Sequence, residues 1–138
     1  MSETRSLSSV SVGDTLPPLE IPLSRTLIVA TAIASRDYQD VHHDPELAKE
    51  RGSPDIFMNI LTTNGFVGRF VTDWTGPGAT LKKIDIRLGA PNYPGDKMTV
   101  EGAVTAKDDD AGTIEVSVRG ANQLGDHVTG TVLVALPN

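Results

Sequence analysis

The chain has 138 residues, a formal net charge of −6 at neutral pH and no cysteine, and its length fits one domain with a real core. The negative charge argues against nucleic acid and against an anionic membrane surface as partners. The absence of cysteine excludes disulfides and thiolate chemistry and makes a reducing cytoplasm the expected location. No apolar run approaches the roughly 20 residues that a membrane span needs.

The first third of the chain contains one strand candidate and one helix candidate. Residues 1–13 are rich in Ser and lack the apolar core of a signal peptide, so we expect a flexible tail before a single domain over residues 14–138. Residues 16–23 hold three prolines, which allow an edge strand or an extended arm. Residues 26–35 are almost all apolar. Periodicity leaves helix and strand open, and helix is favoured because the polar stretch that follows then begins at its end.

That polar stretch, residues 37–45, reads DYQDVHHDP. Asp37 and His42 are five residues apart, which on an ideal helix separates them by about 140° in azimuth. They can converge only if the chain leaves the helix after Asp37. Asp44 and Pro45 supply the break, since Asp is a good N-cap and Pro favours the first helical position. The pattern therefore predicts an acid and a base held over one pocket by a helix end, a loop and a helix start.

Two helices are predicted next. The first covers residues 45–51 and is closed by Gly52. Residues 53–55 (SPD) give a second start signal, and the apolar residues after it predict a helix of roughly five turns from Pro54 to Trp74. Gly65 and Gly68 in its middle indicate that another backbone or a ligand comes close. The apolar stripe consists of Ile56, Ile60, Val67, Phe70, Val71 and Trp74.

After residue 78 the apolar period changes to two, which predicts four antiparallel strands with one apolar face. Turn residues separate them at 92–96, 108–112 and 125–126. The apolar face needs a cover, and the long helix is the element able to supply it, so the predicted class is α+β. The strands are marked by Ile84, Ile86 and Leu88; by Met98, Val100, Val104 and Ala106; by Ile114, Val116 and Val118; and by Val128, Val132, Val134 and Leu136.

A long helix wrapped by an antiparallel sheet is the hotdog arrangement. Residues 24–136 resemble the MaoC-like (R)-specific enoyl-CoA hydratases. The resemblance lies in the order Asp37-x4-His42, Asp44-Pro45, Ala48, a long helix and the 91–96 segment PNYPGD. Residues 36–44, 55–62 and 71–74 are similar to the small MaoC-like subunit of the heteromeric bacterial hydratases that act on steroid side-chain enoyl-CoA thioesters.

The resemblance implies hydration of an α,β-unsaturated acyl-CoA, with a steroid side chain of sterol or cholesterol catabolism as the acyl group. It also implies a second, different MaoC-like subunit, and a homodimer is the other assembly considered. His42 suits the base, Asp37 could orient water and carry the proton to Cα, and the resemblance assigns the same roles. The backbone around Asn59, Ile60 and Leu61 would bind the thioester oxygen. We expect no metal and no cofactor.

The chain departs from the family pattern in two places. The usual loop reads close to Gly-Asp-x-Asn-Pro-x-His, whereas Arg36, Gln39 and Asp40 stand at the Gly, Asn and Pro positions here. At the start of the long helix the usual His-Gly is replaced by Met58 and Asn59. The side-chain amide of Asn59 could then donate to the thioester oxygen in place of a glycine backbone.

Two other functions and one other kind of site stay open. A hotdog thioesterase generally needs a carboxylate on the central helix, and the sequence has no acid between Asp55 and Asp73. A non-catalytic hotdog subunit would have no physical need for both Asp37 and His42, although such residues also cap helix ends. A metal site in the polar stretch is disfavoured because adjacent histidines rarely share one ion. His127, beside a predicted turn, is expected at the surface.

Overall fold

The computed structural model describes residues 3–138. A five-stranded antiparallel sheet in the order β1-β3-β4-β5-β2 packs against one long helix. The predicted α+β class is confirmed. The strands are β1 Thr15–Pro22, β2 Thr80–Leu88, β3 Lys97–Asp108, β4 Thr113–Asn122 and β5 Gly125–Ala135; the helices are α1 Arg25–Ala34, α2 Pro45–Glu50 and α3 Ile60–Thr75, with short 3-10 helices at Leu7–Ser9 and Asp40–His42.

The core lies between the sheet and α3. Four apolar side chains form a row across the sheet because they are register partners on neighbouring strands: Val104, Val116, Val132 and Ile84. Burial of such alternating positions on one face is the main stabilisation of an antiparallel sheet of this kind. α3 contributes its own buried positions and contacts β1, β2 and β5. At Gly68 an added Cβ would lie 3.3 Å from the Ile84 side chain, so the close neighbour is a sheet side chain and not a backbone.

Two predictions in the first third of the chain are confirmed. β1 is an edge strand that pairs with β3, and its register shifts between Leu16 and Leu19, where Pro17 and Pro18 cannot donate to the ladder. Residues 25–34 form α1, whose N-cap Ser24 accepts from the N–H of Leu27 at 3.0 Å.

The sequence also predicts a flexible tail over residues 1–13, and its described part is packed. Leu7 and Val10 are buried in the core. The N–H of Arg5 donates to the Thr75 carbonyl at 2.9 Å, and the N–H of Leu7 donates to that of Pro137 at 2.7 Å. The part of the prediction that concerns residues 1–2 lies outside the described residues.

The long helix begins at Ile60, so the predicted start at Pro54 is wrong. Asp55, the acid of the expected first turn, instead pairs with Arg25 through two hydrogen bonds of 2.8 and 2.9 Å, and this contact lowers its pKa. Ile56 is buried without being helical, whereas Ile60 is half exposed. Ala106, expected on the buried face of its strand, is exposed because the β3–β4 register shifts beside it.

None of the helices in residues 3–138 combines the length and apolarity required to cross a bilayer.

Candidate active site

Asp37 is positioned by the end of α1. The N–H of Arg36 donates to the Ile33 carbonyl and the N–H of Asp37 to the Ala32 carbonyl, both at 3.0 Å. These are the two hydrogen bonds of a Schellman motif, whose residue in the left-handed conformation is Arg36 at φ 57°. The chain therefore turns sharply out of the helix, and Asp37 is the first residue beyond that turn.

His42 reaches the same place from the other side of the loop. It ends the 3-10 helix Asp40–His42 and its side chain is almost fully buried. Its Nδ1 lies 2.7 Å from the Phe57 carbonyl oxygen, which can only accept, so in the neutral ring Nδ1 carries the proton and Nε2 holds the free electron pair. Nε2 lies 3.4 Å from Oδ2 of Asp37. The structure thus brings the predicted acid and base together.

The loop of residues 37–44 also forms contacts with α2. Arg51 donates to both carboxylate oxygens of Asp40 at 2.7 Å, and this hydrogen bonding is the main reason that the pKa of Asp40 is lowered. Asp44 is the N-cap of α2, as predicted, and accepts from the N–H groups of Glu46 and Leu47. The loop therefore has fixed attachments on both sides of His42.

Asn59 connects α3 to this pair. As the N-cap of α3, its Oδ1 accepts from the N–H of Thr62 at 3.2 Å and from the Thr62 hydroxyl. Its Nδ2 donates to Ser35 Oγ at 2.9 Å and to Asp37 Oδ2 at 3.1 Å. Both acceptor sites and both donor hydrogens of the amide are therefore occupied. The Asn59 side chain has no hydrogen left for a thioester oxygen.

Ile60 and Leu61 form the first turn of α3. Their side chains are 51% and 52% exposed, although both are large and apolar. The hydrogen bonds within residues 3–138 leave the N–H groups of these two residues unused, as expected for the first turn of a helix. Two backbone donors at the positive end of the helix are thus available to an anionic atom.

A layer of buried polar side chains behind the start of α3 is not evident from the sequence. His127 is 2% exposed, so its predicted surface position is wrong. It is the extra residue of a β-bulge between the pairs Gly120–Val128 and Ala121–Asp126, and the bulge turns it inward despite its position next to a hairpin turn.

The hydrogen bonds of His127 fix its tautomer. Nδ1 lies 2.6 Å from the Ala90 carbonyl oxygen and Nε2 lies 2.8 Å from Thr63 Oγ1. The carbonyl requires a proton on Nδ1, so Nε2 accepts from the Thr63 hydroxyl. Burial lowers the pKa of His127, which keeps the ring neutral. The imidazole thereby joins β5 to the first turn of α3.

Asn92 supports the segment that leads into α3. It is fully buried, and its carbonyl accepts from the N–H of Met58 at 3.1 Å. Its Oδ1 accepts from Asn122 Nδ2 at 2.8 Å. The sequence marks Asn92 only as a turn residue, and no local pattern distinguishes such an inward-facing amide from a solvated one.

Two alternative site types find little support in the geometry. Within α3, all of which is described, the one acidic residue is Asp73 near the C-terminal end, and it is exposed; the carboxylate that a hotdog thioesterase would use is not on the first turns. Among residues 3–138, no three His, Cys, Asp or Glu side chains are grouped so that they could hold a metal ion.

Comparison with known proteins identifies a family and a relative that are similar to this chain. Residues 9–123 match the family model described as a MaoC like domain. The chain is 54% identical over 125 residues to the 3-oxo-4,17-pregnadiene-20-carboxyl-CoA hydratase beta subunit of Mycobacterium tuberculosis (strain ATCC 25618 / H37Rv), a match that covers 91% of this chain and 95% of that protein.

Two solved structures have a fold similar to that of this chain. A chain in the crystal structure of the ChsH1–ChsH2 complex from Mycobacterium tuberculosis superposes with a TM-score of 0.88 at 53% identity, over 91% of this chain and 98% of that one. The (R)-hydratase from A. caviae involved in PHA biosynthesis gives a TM-score of 0.82 at 27% identity, over 94% and 98% of the two chains.

Proposed function

Because the chain belongs to the MaoC-like domain family, we propose that it is an enoyl-CoA hydratase that adds water to an α,β-unsaturated steroid side-chain acyl-CoA as the catalytic subunit of a heteromer. The observation that carries this proposal is the contact between Asp37 Oδ2 and His42 Nε2 at 3.4 Å, next to the unused N–H groups of α3. The 54% identity to a subunit of a steroid acyl-CoA hydratase supports the substrate class.

The chemistry follows from the hydrogen bonds of the pair. Nε2 of His42 has a free electron pair because Nδ1–H is held by the Phe57 carbonyl, so it can take a proton from water as the water oxygen bonds to Cβ. The electrons of the double bond move onto the thioester oxygen. The proton then returns through Asp37, whose Oδ2 faces Nε2, to Cα. The product is a 3-hydroxyacyl-CoA, so the net reaction is the addition of one water molecule across the Cα–Cβ double bond.

The negative charge that develops on the thioester oxygen needs donors that are already in place. We assign this role to the backbone N–H groups of Ile60 and Leu61, with the positive end of α3 behind them. Asn59, whose amide is fully used, holds the carboxylate of Asp37 in position. The substrate-binding role expected for Asn59 is thus indirect in this proposal.

We propose a second MaoC-like chain as the partner, since the M. tuberculosis structure at 53% identity is a complex of two different chains. Ile33 and Tyr38 flank the Asp37 turn with large exposed side chains, as Ile60 and Leu61 do at the start of α3. A subunit that covers them would also enclose the site. We place the enzyme in the cytoplasm, which fits a chain without cysteine.

The test follows the loss of enoyl-thioester absorbance with a short enoyl-CoA and a steroid enoyl-CoA, for the chain alone and with its MaoC-like partner. His42→Ala is expected to lower kcat by roughly 10²- to 10⁴-fold, the usual contribution of a general base. His43→Ala, an exposed change one residue away, is the matched control and keeps the wild-type rate.

Two results would contradict the proposal and favour another function. Release of free CoA thiol without hydration would identify a thioesterase. Full activity of a complex that carries both Asp37→Asn and His42→Ala would show that this chain has only a structural role.

A further inference from the structure

His127 is buried and titratable, and the proposed reaction does not use it. Core positions between a sheet and a helix are normally filled by aliphatic side chains, because burying a polar ring is unfavourable unless its nitrogen atoms are hydrogen-bonded. Both ring nitrogens of His127 are bonded, to the Ala90 carbonyl at 2.6 Å and to the Thr63 hydroxyl at 2.8 Å. The imidazole therefore joins two parts of the chain in a fixed direction, which an aliphatic side chain could not do.

The sheet end of this link is rigidly held. The N–H of Gly89 donates to the His127 carbonyl at 2.7 Å, and the N–H of Ala90 donates to the Asp126 carbonyl at 2.8 Å. A Cβ added to Gly89 would overlap with the Asp126 carbonyl oxygen, so the two main chains are in direct contact. With the bond from the ring to Ala90, three hydrogen bonds join residues 89–90 to residues 126–127. The imidazole thus projects from a fixed base.

Thr63 carries the link into the first turn of α3. It is the fourth residue of the helix, and its N–H donates to the Asn59 carbonyl at 3.3 Å. Its hydroxyl has one hydrogen, which Nε2 of His127 accepts. The Asn59 carbonyl lies 3.5 Å from Oγ1, beyond the roughly 2.5–3.0 Å usual for such bonds, and does not compete. The side chain held by His127 therefore belongs to the same helical turn as the unused N–H groups of Ile60 and Leu61.

A second link from the same segment reaches the residue before the helix. The carbonyl of Asn92 accepts from the N–H of Met58 at 3.1 Å, and Met58 directly precedes Asn59, the N-cap of α3. Residues 90–92 thus hold the start of α3 on both sides of the cap, through Met58 before it and through Thr63 after it. The two unused N–H groups lie between these points of attachment.

Donors that stabilise a developing negative charge act only if they are in place before the charge forms. A displacement of about 1 Å in such a site can cost roughly 10²-fold in rate. We propose that His127 and Thr63 are positioning residues, whose hydrogen bond sets the first turn of α3 and so directs its free N–H groups at the thioester oxygen. This inference rests on the proposed hydratase function and assigns the residues that orient its oxyanion site.

The test uses the complex of this chain with its MaoC-like partner. Thr63→Val removes the hydroxyl and keeps the shape, whereas Thr63→Ser keeps the hydroxyl and removes a methyl group. We expect Thr63→Val to lower kcat for a short enoyl-CoA roughly tenfold with little change in KM, the pattern for an interaction made only in the transition state. Thr63→Ser should keep a kcat close to that of wild type. Thr75→Val, the same change near the other end of α3, is the matched control and should keep the wild-type kcat.

Variants of His127 test the other partner of the bond. His127→Leu should lower kcat by the same factor as Thr63→Val, and the double variant should be no slower than the slower single variant. Independent effects would instead multiply to roughly 100-fold. His127→Gln supplies an amide oxygen that can accept from the Thr63 hydroxyl, so it should recover most of the rate lost in His127→Leu.

Infrared spectra of bound butyryl-CoA, isotope-labelled at the thioester carbonyl, give a readout that needs no turnover. Hydrogen bonds to this oxygen polarise the carbonyl and lower its stretching frequency. We expect a lowered frequency in the wild-type, Thr63→Ser and Thr75→Val complexes, and a smaller lowering in Thr63→Val and His127→Leu.

Wild-type kcat and carbonyl frequency in Thr63→Val and His127→Leu would overturn the inference, as would equal losses in Thr63→Val and Thr63→Ser, which would show a packing role alone. A wild-type complex that lowers the carbonyl frequency but hydrates nothing would refute the proposed function, and the frequencies of the variants would then decide this inference. A wild-type complex that does not lower the frequency would overturn the inference directly.

Discussion

The contact between Asn59 and Asp37 allows a sharp test of how the site is held. Asn59→Ala removes the cap on Thr62 and the donor to Asp37 Oδ2. Loss of an N-cap costs about 1 kcal/mol, and loss of one buried hydrogen bond costs about 1 more. The expected fall in unfolding free energy is therefore about 2 kcal/mol, equivalent to a fall in Tm of about 8 °C for a chain of this length.

Asn59→Ala should also lower the activity. A hydrogen bond to a charged group contributes about 1.5–3 kcal/mol, and each 1.36 kcal/mol of barrier changes the rate about tenfold. If the bond positions Asp37 for proton transfer, Asn59→Ala lowers kcat by roughly 10- to 100-fold, with a smaller change in KM for a short enoyl-CoA.

The control is Ser24→Ala, which removes the N-cap of α1 without touching Asp37 or His42. It should lower Tm through the lost cap and leave kcat unchanged. The measurements are thermal unfolding and steady-state hydration kinetics for both variants. An Asn59→Ala enzyme with reduced Tm but wild-type kcat would refute the reasoning, because Asn59 would then serve the helix alone.

Four further outcomes are expected, one for each of four substitutions. Thr75 is buried and its hydroxyl has no partner among the described residues, so Thr75→Val should raise the unfolding free energy by about 1 kcal/mol. Thr63→Val deprives His127 of its donor and should lower the unfolding free energy by about the same amount. Urea titrations of both variants measure these changes. The lowered pKa of His127 means that the unfolded chain binds the extra proton first; stability should fall as the pH drops below about 6.5, and His127→Gln should flatten that dependence. In Gly130→Ala the new Cβ would overlap with the Asp85 carbonyl oxygen, and this overpacking should cost about 3 kcal/mol in chemical denaturation.

The features predicted correctly depend on local patterns. Asp44 and Pro45 determine the start of α2 because the cap and the proline act within one turn. The prolines after Leu16 restrict β1 to an edge for an equally local reason. The convergence of Asp37 and His42 also follows from local breaks in the helix, so the candidate site could be located before its hydrogen bonds were known.

The features missed depend on distant partners. The 53–55 segment has the residues of a helix start, but Arg25 binds Asp55 from 30 positions away and the helix begins only at Ile60. His127 turns inward because of a bulge, which alternation of apolar residues does not reveal. Leu7 is buried because the far end of the chain accepts its N–H. Arg25 and Asp55 are remote in sequence, as are Leu7 and Pro137. The inward-facing His127 is held by Thr63 and Ala90, which are also distant along the chain.

The turn at the end of α1 affects how this family can diverge. α2 ends in the same hydrogen-bond pattern with Gly52 at φ 90°, where a glycine carries no steric cost. Arg36 occupies the matching position after α1 at φ 57°, although an L-residue there loses roughly 1 kcal/mol. The carbonyls of Ile33 and Ala32 hold this turn through the main chain, so the position of the Asp37 backbone does not depend on which side chain residue 36 carries. Arg36 can therefore replace the family's usual glycine at a modest cost in stability while the main chain of Asp37 keeps its position.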